Sequence, residues 1–173
     1  RDINEGQPEA EAWLRAWQGI SGTVDIRAPA PALLADMRYQ RGLELWRLGF
    51  EPEALDEFGA LLNANSDNPL ALYQLALRFR DQGAYRLSIQ AADSLMRRSD
   101  ARTPARLPDF IARLIYPAHY ADLVHAAAQE FDINPLLVFS VIRQESLFEP
   151  FAESSAAASG LMQVIPSTGE EIN

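Results

Sequence analysis

An internal repeat in residues 41–99 constrains the fold of this chain more than any other feature of its sequence. Gly49 and Gly83 lie 34 residues apart. The same offset pairs small or apolar residues throughout the segment: Gly42 with Ala76, Leu43 with Leu77, Leu45 with Phe79, Leu55 with Ile89 and Leu61 with Leu95. Such a repeat predicts two consecutive pairs of antiparallel helices, with the two glycines in the turns.

A period of 34 residues is typical of tetratricopeptide-like helical repeats. Two unrelated amphipathic hairpins remain the alternative interpretation. In either case the apolar positions should be buried between the helices, and we expect this of Leu45, Leu55, Phe58, Leu77, Phe79 and Ile89.

The best candidate for a linker is the segment 101–109, which contains two prolines and shows little periodicity. It divides the chain into a helical-repeat domain, residues 1–108, and a second domain, residues 109–173. In the second domain Asn134 suits a helix N-cap and Pro135 suits the first helical position. The helix that follows, from Pro135 to about Ser146, is apolar on nearly all sides, so we expect it at the centre of its domain.

Composition excludes several classes of function. The net charge of −9 argues against nucleic acid as a partner, because binding to phosphates requires a basic surface. No uninterrupted apolar stretch is long enough to span a bilayer. The chain has no cysteine, and His119 and His125 have no third ligand in sight, so neither a metal nor a cofactor is expected.

Glu145 is the candidate catalytic residue because it ends the apolar helix. Burial and the partial negative charge at a helix C-terminus would both favour the protonated carboxyl. A protonated carboxyl is what a general acid needs in order to protonate a poor leaving group such as a sugar oxygen. The alternative is a glutamate at a frayed helix end, satisfied by Arg143 or by water.

The residues around Glu145 resemble the signature of the soluble lytic transglycosylases. The elements that match in order and spacing are RQES at 143–146, Phe148, Pro150, Ala152, Ser154, GLMQ at 160–163 and PST at 166–168. Tyr116-Pro117 and the segment 132–135 also have counterparts in that family. The resemblance extends weakly over the repeats, from residue 32, and it implies an all-α fold. Tetratricopeptide-like repeats would be followed by the N-terminal part of a lysozyme-like lobe.

This resemblance implies a lyase that cleaves the β-1,4 bond between N-acetylmuramic acid and N-acetylglucosamine in peptidoglycan and leaves 1,6-anhydromuramyl ends. Glu145 would act first as the general acid and then as the base, without a cofactor. The residues expected to bind substrate are Ser146, Ser154, Met162, Gln163 and Ile165. The glycan strands would be met outside the cytoplasm, in the bacterial cell envelope, where the repeats could also contact other envelope proteins.

Two further functions stay open on sequence alone. A goose-type lysozyme would need a second carboxylate, for which Glu149 and Glu153 are candidates, although we expect both to be solvated loop charges. A helical-repeat scaffold with an inactive catalytic remnant is the other alternative.

Two features of the sequence depart from the family. Ala157 stands where the family usually has glycine, at a position expected to be left-handed. The chain also stops shortly after a capping box at residues 167–170, where the family's lobe continues. The chain shows no signal segment. We therefore expect it to hold the acid and half of the groove, and to be poorly active by itself.

Overall fold

The computed structural model describes residues 2–171, and its regular structure there is helical. The only strand-like pairings in this range are isolated bridges. The α-helices in chain order are α1 Gln7–Gln18, α2 Pro31–Ala35, α3 Met37–Arg47, α4 Glu51–Ala64, α5 Pro69–Gln82, α6 Tyr85–Arg98, α7 Asp109–Ile115, α8 Ala121–Glu130, α9 Pro135–Ser146 and α10 Pro166–Glu171, with a short 3-10 helix at Pro104–Arg106. The all-α fold expected from the sequence is confirmed. Of the helices described, none combines the length and the apolar character needed to cross a bilayer.

The chain forms two compact units that meet in sequence between Tyr116 and Pro117. The sequence instead placed the division between residues 108 and 109, just before α7. In the structure α7 packs against α1 and α6, because Phe110, Ile111, Leu114 and Ile115 are buried in the core of the first unit. The first unit therefore includes α7, and the second begins just before α8.

The helix pairs of the first unit follow the 34-residue offset of the sequence. Helix α4 runs from Glu51 to Ala64 and α6 from Tyr85 to Arg98, so both ends are displaced by the same interval. Gly49 and Gly83 lie in the turns with φ angles of 80° and 87°, a left-handed conformation that glycine adopts without a steric penalty. The pairs α3/α4 and α5/α6 thus lie where the repeat predicts them. Their assignment as tetratricopeptide-like repeats stays a prediction.

The core of the first unit is built from the repeated apolar positions. Phe58, Leu77, Phe79 and Ile89 are buried as expected, whereas Leu45 and Leu55 are only partly buried at the edge of the core. At the crossing of α3 and α4, Gly42 lies directly against the ring of Phe58: a Cβ atom placed there would come within 2.5 Å of a ring carbon. The close approach of these helices thus depends on the absence of a side chain at residue 42.

Helix starts follow the capping chemistry of the sequence. The side-chain oxygen of Asn134 accepts a hydrogen bond from the backbone N–H of Leu136, and Pro135 follows it at the first position of α9. Asn68 caps α5 in the same manner, through the N–H of Ala71. These contacts satisfy N–H groups that have no partner within the helix. The predicted start of α9 is confirmed.

The second unit has a smaller core, and α9 is not buried at its centre as expected. The buried apolar residues of this unit are Val124, Ala128, Ile142, Phe148 and Ala158. Leu136 is 70% exposed and Leu137 59% exposed, although both belong to the apolar run. Helix α8 packs along α9, and Ile142 is buried. Leu136 and Leu137, near the start of the helix, face outward.

Candidate active site

Glu145 lies in the last turn of α9, and its side chain is exposed. The burial expected from the sequence is therefore wrong. The covered stripe of the helix is marked by Ile142 and Ser146, which are both buried. At 3.6 residues per turn Glu145 points about 60° to one side of Ile142, at the edge of this stripe. Its carboxylate is open to a ligand that approaches the end of the helix.

The backbone that follows Glu145 turns sharply through two left-handed residues. Leu147 and Phe148 have φ angles of 51° and 64°, a conformation that is costly for residues with a side chain. Phe148 is fully buried, and its ring lies 5.6 Å from that of His119 and 6.4 Å from that of Phe139, centroid to centroid. Burial of this aromatic ring offsets the backbone strain and fixes the direction of the chain after the acid.

Ser146 connects the end of α9 to the turn at residues 160–163. Its side chain is buried, and its hydroxyl lies 3.1 Å from the carbonyl oxygen of Ile142 and 2.8 Å from that of Leu161. A serine hydroxyl has one hydrogen to donate, so these two carbonyl groups take up its donor capacity. The contact with Leu161 holds Leu161 and the adjoining Met162 beside the residue that follows Glu145 in the chain.

Gln163 joins two parts of the loop through hydrogen bonds from its side chain. Its backbone is left-handed, with φ 50°, and its side-chain Nε2 donates to the carbonyl oxygens of Ala152 at 2.8 Å and Gly160 at 2.9 Å. Both amide hydrogens are thereby used. The Oε1 atom accepts no hydrogen bond from residues 2–171 and is left to accept one from a ligand.

Ser154 organises the tip of the loop and is exposed. Its Oγ accepts hydrogen bonds from the backbone N–H groups of Ala156 at 3.2 Å and Ala158 at 3.1 Å, which leaves its hydroxyl hydrogen to donate. Between them Ala157 has φ 58°. The left-handed turn expected at this alanine is confirmed.

An apolar set of side chains lies exposed along the same loop. It comprises Phe151, Met162, Val164 and Ile165. The loop that carries it is held by two bridges, which pair Ser159 with Glu153 and with Val164. Exposed apolar side chains on a loop braced by hydrogen bonds offer a surface on which the faces of sugar rings can rest.

The two other carboxylates near the helix end differ in their surroundings. Glu149 is only 3% exposed, and its Oε1 accepts a hydrogen bond from the backbone N–H of Phe151 at 3.3 Å. The expectation of a solvated charge is wrong for Glu149, because the turn that buries Phe148 carries the next side chain inward as well. Glu153 is exposed, as expected.

Comparison with known proteins points to one family. Residues 122–173 match the Transglycosylase SLT domain, a span that contains α9 and the whole loop. The membrane-bound lytic murein transglycosylase C of Actinobacillus pleuropneumoniae is 29% identical over 132 residues, which is 70% of this chain and 36% of that protein. A Haemophilus influenzae protein assigned as a soluble lytic murein transglycosylase is 39% identical over 71 residues, which is 41% of this chain and 12% of the relative.

Solved structures share the fold. The 70-kDa soluble lytic transglycosylase of Escherichia coli superposes with a TM-score of 0.64 at 24% identity, over 91% of this chain and 24% of its own length. An inactive Glu-to-Gln mutant of the lytic transglycosylase Slt of Pseudomonas aeruginosa gives a TM-score of 0.66 at 18% identity, over 98% of this chain and 29% of that one.

The chain thus spans 36% of the length of the Actinobacillus pleuropneumoniae protein and a smaller share of the other proteins compared with it. Within that span, the domain match, the curated relatives and the shared fold agree. Residues 122–173 thus match the Transglycosylase SLT domain, and the chain is similar in sequence and in fold to lytic murein transglycosylases.

Proposed function

We propose that this protein is a peptidoglycan lytic transglycosylase, which cleaves the β-1,4 bond between N-acetylmuramic acid and N-acetylglucosamine. The observation that carries the proposal is the match of residues 122–173 to the Transglycosylase SLT domain, which includes an exposed carboxylate, Glu145, at the end of α9. The names of the curated relatives, which are murein transglycosylases, support the same substrate.

In the proposed reaction Glu145 carries out both proton transfers. Its carboxyl first gives a proton to the glycosidic oxygen that leaves with N-acetylglucosamine, while the N-acetyl group of the muramyl sugar supports the anomeric carbon. The resulting carboxylate then takes the proton of the muramyl 6-hydroxyl, whose oxygen bonds to the anomeric carbon. The product is a 1,6-anhydro end, and no water is consumed. Substrate assistance of this kind is an exception to the two-carboxylate rule.

The open position of Glu145 changes how its proton would be held. A glycan strand lying across the end of α9 would remove water from the carboxyl, so desolvation would come from the substrate rather than from the protein alone.

The other expected site residues take distinct roles in this proposal. Gln163 offers Oε1 to a sugar hydroxyl or amide N–H, and Ser154 offers its hydroxyl hydrogen. Met162 and Ile165 provide apolar contact for the sugar rings. Ser146 acts indirectly, because its hydroxyl is engaged with Leu161 and so holds Met162 in place.

The single-carboxylate mechanism is favoured over a goose-type hydrolase by the burial of Glu149. With 3% of its surface exposed and an oxygen bonded to the N–H of Phe151, this carboxylate is poorly placed to activate a water on the substrate.

The test is cleavage of purified peptidoglycan sacculi by the intact protein and by a Glu145→Gln variant. The amide keeps the shape of the side chain but has no proton to transfer, so we expect a loss of at least about 10²-fold. Glu153→Gln is the matched control, since it removes an exposed carboxylate eight residues along the same segment and should be nearly silent.

The products distinguish the proposal from its alternatives. Mass spectrometry of the released fragments should show anhydromuramyl ends. Reducing ends would establish a hydrolase, and so would a Glu149→Gln or Glu153→Gln variant as damaged as Glu145→Gln at matched thermal stability. If the wild-type protein released no peptidoglycan fragments, the helical-repeat scaffold with an inactive catalytic remnant would be the remaining interpretation.

The proposed substrate also sets the location and the partners. Peptidoglycan strands lie outside the cytoplasm, so the protein would act in the bacterial cell envelope, on the periplasmic or cell-wall side. The paired helices of the first unit would be free to contact other envelope proteins. Fractionation of cells, with detection of the protein in the envelope, tests the location.

A further inference from the structure

Phe151 presents an aromatic ring to solvent from a backbone that is held on both sides. The residue is 52% exposed. Its backbone N–H donates to Oε1 of Glu149 at 3.3 Å, and the N–H of the next residue, Ala152, donates to the carbonyl oxygen of Glu149, also at 3.3 Å. The carbonyl oxygen of Ala152 in turn accepts hydrogen bonds from the N–H of Gly160 at 3.0 Å and from Nε2 of Gln163 at 2.8 Å. The ring therefore projects from a fixed point of the loop.

Glu149 connects Phe151 to the end of α9. Its own backbone N–H donates to the carbonyl oxygen of Ser146 at 3.1 Å, while its side chain and its carbonyl group accept the N–H groups of Phe151 and Ala152. Only 3% of Glu149 is exposed, so water cannot easily replace its carboxylate oxygen as the acceptor for Phe151. An N–H group that loses its acceptor away from water costs about 1–3 kcal/mol. Glu149 thus determines where the backbone of Phe151 lies.

Phe151 lies close to a second group that can contact a ligand. The Oε1 atom of Gln163 accepts no hydrogen bond from residues 2–171. The Nε2 atom of the same amide is bound to the carbonyl group of Ala152, and standard backbone dimensions place it within about 9 Å of the Cα atom of Phe151. A carbohydrate chain a few rings long can span this distance. Sugar rings suit both groups, since the face of a pyranose carries C–H groups and its rim carries hydroxyl groups that can donate to an amide oxygen.

We propose that Phe151 is a further substrate-contact residue, whose ring stacks against a sugar ring of the glycan strand, and that Glu149 is the positioning residue that holds it. Neither residue belongs to the set expected from the sequence to bind substrate. An aromatic side chain buries a large apolar area on binding, and a backbone that is ordered beforehand loses less conformational entropy. This inference rests on the proposed function, because it takes the glycan strand as the ligand of the loop. It also gives the buried carboxylate of Glu149 a role outside the two proton transfers.

The test is isothermal titration calorimetry of the intact protein with a chitin oligosaccharide of four N-acetylglucosamine units. The parent protein and all variants carry Glu145→Gln, so that the probe is not consumed. Phe151→Ala should weaken binding at least about fivefold, which corresponds to about 1 kcal/mol. Phe151→Trp keeps an aromatic face and should bind at least as tightly as the parent. Phe50→Ala is the matched control, because Phe50 is 51% exposed but lies in the first unit, and it should leave binding unchanged.

Two substitutions of Glu149 separate positioning from folding. Glutamine keeps an oxygen that can accept the N–H of Phe151, so Glu149→Gln should bind nearly as well as the parent. Glu149→Ala removes the acceptor and should weaken binding about as much as Phe151→Ala. A variant with both alanines should bind no more weakly than either single variant, because the two changes remove the same contact. If the two effects instead multiplied, Glu149 would not be the positioning residue of Phe151.

The outcomes for this inference and for the proposed function are distinguishable. Undiminished binding by Phe151→Ala, or no binding of the probe by the parent protein, would overturn the inference. Cleavage of sacculi by the unmodified protein decides the proposed function separately. Cleavage together with undiminished binding by Phe151→Ala would overturn this inference alone, and weakened binding by that variant without cleavage would overturn the proposed function alone.

Discussion

At the scale of single residues, the departure of Ala157 from the family pattern has a cost in folding stability. The residue is exposed and left-handed, with φ 58°, so its methyl group packs against little and is in steric conflict with its own backbone. Glycine would have no such conflict. The alanine therefore costs stability in the very loop that carries the proposed substrate contacts.

We predict that Ala157→Gly raises the free energy of unfolding by about 1 kcal/mol, since relief of the left-handed strain exceeds the added entropy of the unfolded chain. Ala156→Gly is the control. Ala156 is also exposed but is not left-handed, so glycine there should lower stability slightly. Calorimetric unfolding of the two variants measures both effects, and a destabilised Ala157→Gly variant would contradict the assigned turn.

Asp36 provides a second prediction at this scale, through pH. Side-chain hydrogen bonds from Arg38, followed by the backbone N–H of the same residue, lower the pKa of Asp36 from 3.8 to about 2. Because the folded-state pKa lies below the unfolded one, the carboxylate stabilises the fold fully above about pH 4, and this contribution is lost as the pH falls through 2.

An Asp36→Asn variant tests that window. Asparagine caps α3 about as well as aspartate, so the variant removes the charge and keeps the cap. Wild type should be the more stable near neutral pH, and the gap between the two denaturant midpoints should close as the pH falls from about 4 to about 2. Asp100→Asn, at an exposed position outside the helices, is the control. A gap that stays constant over this range would exclude the Arg38 interaction as its cause.

At the scale of helices, the sequence predicts where each helix lies in the chain better than which helices pack against it. The 34-residue offset placed α4 and α6 correctly because both the repeat and the turn glycines are local features. The same reasoning failed for α9. Its apolar run predicts a helix, but how many of its sides are covered depends on which helices pack around it, and here α8 covers one stripe.

The contact between α3 and α4 gives a prediction at this scale. A methyl group on residue 42 would come within 2.5 Å of the Phe58 ring, so Gly42→Ala should force the helices apart and cost about 1–3 kcal/mol. At Gly59, in α4, an added Cβ would meet only Leu87 at 3.9 Å, an ordinary contact. Gly59→Ala should therefore stabilise the chain by about 0.5–1 kcal/mol through helix propensity. Chemical denaturation followed by tryptophan fluorescence measures both free energies of unfolding. Equal effects of the two substitutions would contradict the close packing of Gly42 against Phe58.

At the scale of the whole molecule, the sequence predicted which residues belong to the candidate site but not which of their side chains are exposed. The motif singled out Glu145, Ser154 and Gln163 from residue types and spacing alone. It could not show that Glu145 is exposed, because this depends on which stripe of α9 its neighbours cover. It could not show that Glu149 is buried either, because this follows from the left-handed turn at Leu147 and Phe148, which their residue types do not predict. The tie from Ser146 to Leu161 was missed for a similar reason, since a backbone carbonyl leaves no signal in the sequence.

The two units also differ in how much apolar surface each one buries, and this difference sets their resistance to local opening. Helices α5 and α6 carry fifteen buried residues between them, whereas α8 and α9 carry four. Local opening costs less where fewer apolar contacts are lost.

We predict that in hydrogen exchange of the 173-residue chain the backbone amides of α5 and α6 are at least about tenfold more protected than those of α8 and α9, after correction for intrinsic exchange rates. Amides on the covered stripe of α9, at Ile142 and Ser146, are the most stringent comparison, because their side chains are as buried as those of the first unit. Equal protection of these amides and those of α5 would mean that the open side of α9 does not weaken its unit.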